Sequence, residues 1–278
     1  MMRSRFPVAR VSALAALVVG AFLVTQRTSG PRWHVLLPGV DFATLRGEPW
    51  CRSGSATLAA LRLDPARVRI RVRHFTREGE RQPLDILTWL KHTGATAVFN
   101  AGQYYADYSY MGLLVSRGEV ISRKVHPTFK AALVAGPHAA GARARVIDLV
   151  REPLDPDSLG WGEVAQSFML FDHSGAVRVR RSDQVAARTA VAEDRHGRLV
   201  VITSEGGYTL WDFARLLKDS PLGLSQAMAM DGGLEAEMVV SAGRFRYASF
   251  GSWDHGRPAG DAPRPPVALP AVITVSAP

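Results

Sequence analysis

Ala227–Gly233, AMAMDGG, is the stretch on which the reading of this chain turns. An apolar run delivers Asp231 onto two glycines, with Glu235 and Glu237 just beyond. A buried strand that ends in a carboxylate on a glycine turn presents an acid at the floor of a cleft. Glycine there tolerates positive φ and lets a ligand approach the backbone. Taken alone, the same letters also describe a D-G hairpin turn with a solvated Asp.

The segments before it are regular. Thr209–Asp219 (TLWDFARLLKD) is an amphipathic helix with Thr209 as its cap. Ser204-Glu205-Gly206-Gly207 precedes it. Arg188–Ala192 (RTAVA) and Leu199–Thr203 (LVVIT) form a hairpin across EDRHGR. Further back, Glu163–Phe171 is apolar around Gln166 and Ser167, and Ala176–Val179 reads as a short strand. Ala95–Asn100 is a buried strand running into the tyrosine-rich loop AGQYYADYSY, followed by a hairpin turning at Arg117–Gly118. Pro83–Thr93 has helical spacing, with Pro at its start and Gly94 after it.

Residues 33–40 (WHVLLPGV), Thr57–Leu63, Lys130–Ala135 and Ala144–Val150 read as strands. Arg67–Phe75 (RVRIRVRHF) alternates strictly, so one face is buried and the other cationic. That cationic face is a solvated sheet surface or, alternatively, an anion-binding stripe. After the AMAMDGG stretch come a strand at Glu237–Ser241, a Gly/Pro-rich loop over Gly251–Pro266, and a closing strand at Pro270–Val275. Nothing from 31 to 278 reads as a linker, a repeat or a second core. The expected fold is therefore α+β, a single domain over 31–278 with a mixed, mostly antiparallel β-sheet core and a few helices.

Residues 1–30 are set apart. They carry four arginines and no acid, and Val11–Val24 is an apolar run. Counted from Phe6, the stretch nearly spans a bilayer, and no A-x-A cleavage site follows it. This is a signal anchor or a secretory signal, so the body is expected to be exported, with membrane contact through residues 6–24. The formal charge of +9 falls to +5 without this segment, leaving 30 basic against 25 acidic groups. The excess is arginine, since lysine occurs only at Lys91, Lys124, Lys130 and Lys218. Guanidinium suits bidentate phosphate binding. No basic run with interleaved aromatics is present, which argues against a nucleic-acid partner. Cys51 is the only cysteine, so an intrachain disulfide and a thiolate metal cluster are excluded. The histidines lack metal-ligand spacing. His126, in RKVHPTFK, is an outlying candidate for a substrate contact.

Four patches stand out: FNAG at 99–102, AQS at 165–167, RTAVA at 188–192, and SEGG…TLWDFARLL…AMAMDGG at 204–233. Their order and content resemble the phosphodiester glycosidase family. Phe99-Asn100-Ala101-Gly102 is similar to that family's FNGG strand end. Arg188-Thr189 is similar to its R-T before a strand, and Ala229-Met230-Asp231-Gly232-Gly233 to its N-L-D-G-G turn. Ala229 stands where the family pattern has Asn, and Leu234-Glu235-Ala236 follow the glycines in place of its small and hydroxyl residues.

The resemblance implies an exported hydrolase that cleaves a glycosyl residue from a phosphorylated sugar or envelope glycan. A non-catalytic glycan-binding or polysaccharide-export accessory protein is the alternative. In a sugar-1-phosphodiester the leaving group is already anionic, so the site needs a cation for departing phosphate and a carboxylate for the oxocarbenium centre or for water. On this view Arg188 clamps phosphate, Asp231 is nucleophile or base, and Glu205 is the second carboxylate. Asn100 and Gln166 hydrogen-bond sugar hydroxyls, the amides of Gly232 and Gly233 assist, and Ser167, Thr189 and Glu235 complete the substrate contacts. No cofactor is assigned; an Asp/Glu-ligated divalent cation near Asp231 stays open.

Overall fold

The structure is a computed structural model that describes residues 30–137, 144–252 and 266–278. The apolar segment 6–24 and most of the 251–266 loop lie outside the described residues. Among those described, no helix is long and apolar enough to cross a membrane.

The strands form three principal sheets rather than one. The largest runs His34–Leu37, Val40–Arg46, Thr57–Leu63, Leu199–Ser204, Thr189–Asp194, Leu224–Ala229, Met169–Phe171. The second runs Arg145–Asp148, Ala131–Pro137, Trp161–Ser167, Leu114–Ser116, Glu119–Ser122. The third runs Phe245–Ser249, Met238–Ala242, Ala97–Asn100, Ala271–Ser276, Arg69–His74. Every pairing among the described strands is antiparallel, so the expected mixed sheet is corrected to antiparallel throughout.

Alternation along the strands assembles the layers. In Thr189–Asp194, Val191 enters the core shared by the three sheets, with Val201, Met228, Phe99, Ile273 and Leu133. Ala190 and Ala192 face the other way, beneath a helix. That helix, α2 (Leu210–Lys218), buries Phe213, Ala214, Leu216 and Leu217, and Thr209 caps it by accepting from the Asp212 N–H. Helix α1 (Ile86–Thr93) covers the third sheet, with Ile86 and Trp89 packed on Val98, Val239 and Val272. It starts later than its Pro83 suggested: Asp85 is the cap, accepting from the N–H groups of Leu87 and Thr88. Gly94, at φ 62°, ends it.

Three other differences have physical causes. Residues 33–40 hold a turn at Pro38-Gly39, with Gly39 at φ 86°, and the chain returns as the unexpected strand Val40–Arg46. The apolar run Glu163–Phe171 is cut at Phe168, where the chain leaves the second sheet and joins the first. Both halves are buried, so hydropathy carries no mark of the break. Ala176–Val179 forms only an isolated bridge, Val177 with Phe171.

Candidate active site

The centre of the largest sheet builds the site. Ala190 pairs with Ala229 and Val191 with Met228, so extending the register two residues sets Arg188 opposite Asp231. The Met230 N–H donates to the Thr189 carbonyl at 2.8 Å, which carries the pairing past the strand ends. Both side chains line a cavity of about 710 Å³, with Gln103, Phe168, Arg178 and Arg180 also on its wall.

Arg188 is 8 % exposed. Its Nε donates to the Tyr208 carbonyl at 3.0 Å and Nη2 to the Gln184 carbonyl at 2.8 Å. Its backbone N–H donates to Ser204 Oγ, which in turn donates to the Gly206 carbonyl. The SEGGY turn at 204–208 thus grips Arg188. Among the described residues Arg188 makes no salt bridge within 4.0 Å. Burial lowers its pKa to about 10, against the opposing pull of Asp231. A buried guanidinium fixed by neutral carbonyls keeps its charge available to an incoming anion.

Asp231 is held by its neighbours' backbone. Its N–H donates to the Ala101 carbonyl at 3.0 Å, and its own carbonyl accepts from Asn100 Nδ2 at 2.9 Å. Oδ1 accepts the Gly232 N–H at 2.9 Å. Burial first, and the nearby charge of Glu235 second, push its pKa up to about 7. The glycines have separate reasons. A Cβ on Gly232 would lie 3.0 Å from Arg188 Nη1, and Gly233 sits at φ 80°. Their amides are already committed, Gly232 to Asp231 and Gly233 to the Ala187 carbonyl at 2.9 Å, so they do not form an oxyanion hole.

Other expected positions turn out differently. Asn100 is 1 % exposed; Nδ2 donates to the carbonyls of Ala101 and Asp231, and Oδ1 accepts the Glu237 N–H. Gln166, also 1 % exposed, accepts from the N–H groups of Leu113 and His126 and donates to the carbonyls of His126 and Phe129. Both amides tie loops to strands and have no donor left for a sugar. Ser167 is buried and donates to Gln103 Oε1 at 3.2 Å, while Gln103 reaches the Met230 carbonyl and the cavity. Thr189 is buried with its hydroxyl unpartnered, on the core side of its strand rather than in the cavity. His126 stacks on Phe129, with its Nδ1 beside the Thr128 hydroxyl.

Glu205 is exposed, accepts from Ser55 Oγ at 3.0 Å, and is not on the cavity wall. The carboxylate that acts on Asp231 is Glu235, which also accepts from Tyr104 Oη at 3.3 Å. Burial, followed by the charges of Glu235 and Asp231, raises the Tyr104 pKa. Among the described residues no group of three His, Cys, Asp or Glu side chains is arranged to hold a metal ion.

Gln103, Arg178 and Arg180 escaped the sequence reading. Arg178 pairs with Asp172 at 2.8 Å; Arg180 is exposed and makes no salt bridge among the described residues. The VRVRR run at 177–181 was their one signal.

Fold and cavity define an antiparallel β-sheet protein with few helices, in which a carboxylate and an arginine without a salt bridge among the described residues are opposed at adjacent strand ends. The phosphodiester glycosidase family model matches residues 93–272, and the chain belongs to that family. The match takes in Asn100, Gln166, Arg188 and Asp231. No curated protein matches the sequence. The fold is similar to that of the zebrafish N-acetylglucosamine-1-phosphodiester alpha-N-acetylglucosaminidase catalytic domain, auto-inhibited by its pro-peptide. That likeness has a TM-score of 0.60 and 17% identity over 89% of this chain and 86% of that one. It is also similar to a hypothetical protein from Synechocystis, at TM-score 0.59 and 13% identity over 90% of this chain and 64% of that one.

Proposed function

We propose that the protein is an exported hydrolase that releases a glycosyl residue from a sugar phosphodiester. The observation that carries this reading is the opposition of Arg188 and Asp231 on one cavity wall without an ion pair between them. Arg188 offers a fixed cation to the departing phosphate, and its charge survives the whole physiological range. Asp231, once ionised, supports the anomeric carbon as nucleophile or activates water as base. Glu235 tunes Asp231 through its charge. Little protonation of the leaving group is needed, because phosphate leaves as an anion.

A second cavity of about 510 Å³ adjoins the first, with Ser182 on the walls of both. There the Arg181 guanidinium lies 4.8 Å above the Trp211 ring. It is the natural berth for the group beyond phosphate. The basic and apolar character of residues 3–24 supports export, with those residues as anchor or signal.

The test is a panel of UDP-sugars and p-nitrophenyl sugar phosphodiesters hydrolysed in isotopically labelled water. Label in the released sugar marks cleavage at the glycosidic carbon–oxygen bond. Label in phosphate instead marks a generic phosphodiesterase, and binding without turnover marks the accessory glycan-binding reading.

A further inference from the structure

Strand Trp161–Ser167 connects the cleft to a second basic recess. Phe168, after the strand, lines the cleft; Gly162 and Glu163, at its start, line a groove of about 340 Å³. The six residue steps from Gly162 to Phe168 separate the two by about 20 Å along the backbone, at ~3.3 Å per step. Arg69, Arg71 and Arg117 share the groove wall with Glu163 and three glycines.

Its charges are not balanced. Glu163 accepts the Val72 N–H at 2.9 Å and meets Arg71 only at 3.5 Å. Arg117 reaches Glu78 at 3.0 Å, but Arg73 takes the same oxygen at 3.0 Å. Arg69 is exposed and makes no salt bridge among the described residues. Three guanidinium groups therefore face one carboxylate on the groove wall.

The backbone adds a separate observation. Arg117 and Gly118 form the two-residue turn of a hairpin, with φ of 52° and 80°. Turns with both central residues at positive φ favour Asn-Gly, and an arginine there is sterically disfavoured. The turn itself gives no reason for arginine; the side chain's reach to Glu78 and its place on the groove wall do.

We propose that this groove is a second binding site, separate from the cleft, for the oxyanion groups of an acidic glycan chain. Arginine forks suit carboxylate or phosphate. Among the described residues the wall has no aromatic platform for a nucleobase. Ile70 is its one large apolar side chain, which gives little hold for a lipid tail. The choice of a glycan rests on the proposed function: a sugar chain held at the groove by its anionic groups is kept near the cleft, at a raised effective concentration. The site does not depend on the cleft being catalytic, because its test reads binding.

The probe is an oligogalacturonate titrated into the full chain, beside its neutral methyl ester. The wild type binds the acidic form, more weakly as salt rises. The double variant Arg69→Ala, Arg117→Asn loses about tenfold in affinity, the size expected for charge-assisted hydrogen bonds. Arg117→Asn alone weakens binding without lowering Tm. Arg188→Ala retains most of the oligogalacturonate affinity, and the double variant hydrolyses a small phosphodiester at the wild-type rate. The proposal is overturned if the methyl ester binds equally, if the double variant keeps its affinity, or if Arg188→Ala alone abolishes binding.

Discussion

Burial and the charge of Glu235 raise the pKa of Asp231 to about 7, while Arg188 stays charged across the same range. Catalysis by an ionised Asp231 therefore gives kcat/KM an ascending limb near pH 7. A pH–rate profile of a small phosphodiester checks this, and a flat profile from pH 5 to 8 argues against Asp231 as base or nucleophile. Asp231→Asn costs on the order of a thousandfold in kcat. Arg188→Lys keeps charge but loses the fork held by Tyr208 and Gln184, and kcat/KM falls roughly ten- to a hundredfold. Gln166→Ala has a different signature. It strands four backbone groups, two of them buried, and destabilises the fold by about 3 kcal/mol, seen as a lower urea midpoint. The residue types of the site were legible in sequence; their partners were not. Asn100 and Gln166 look like sugar ligands in a linear pattern, and only their contacts show that backbone already occupies them.

At the scale of elements, turns and caps do the positioning. The SEGGY turn was read for its acid, Glu205, yet its contribution is the Tyr208 carbonyl and the Ser204 hydroxyl that seat Arg188. Helix α2 follows directly from that turn, so its cap bears on the arginine's support. Thr209→Ala removes the hydroxyl that accepts the Asp212 N–H and costs about 1 kcal/mol. Its effect on the urea midpoint is small beside that of Phe213→Ala, which empties a buried site beneath the sheet and costs about 3–5 kcal/mol. Helix α2, its cap and the hairpin 188–203 were visible in sequence, because amphipathic period, Thr at the cap and β-branched runs are local signals. The break at Phe168 was not, since a strand that changes sheets keeps the same apolar pattern.

At the scale of the whole molecule, buried titratable groups set how stability changes with pH. Folding raises the pKa of Asp231 to about 7 and of Glu237 to about 8, and lowers that of His74 to about 4, with burial the leading cause in each. From about pH 4 to 6.5 the folded state holds two carboxyl protons that the unfolded chain releases, while the unfolded chain holds one histidine proton that the folded state does not. Stability therefore falls gently with pH there. Above 6.5 the unfolded histidine also releases its proton, but Asp231 begins to release its own near pH 7, so stability keeps falling at about the same rate and levels off beyond about pH 8. Urea midpoints from pH 5 to 8.5 check this, and Glu237→Gln flattens the upper part of the curve. A midpoint that rises across that window contradicts the buried, protonated state of these acids. The sequence by itself determined the antiparallel-rich α+β character, the acid-on-glycines turn and the arginine before its strand, because each is written in neighbouring residues. Only the tertiary structure decided that Glu235 rather than Glu205 stands beside Asp231, and that Arg188 meets no carboxylate among the described residues. Those facts depend on which strands lie side by side and which carbonyls reach a side chain, and pairing across the sheet leaves no local trace in the chain.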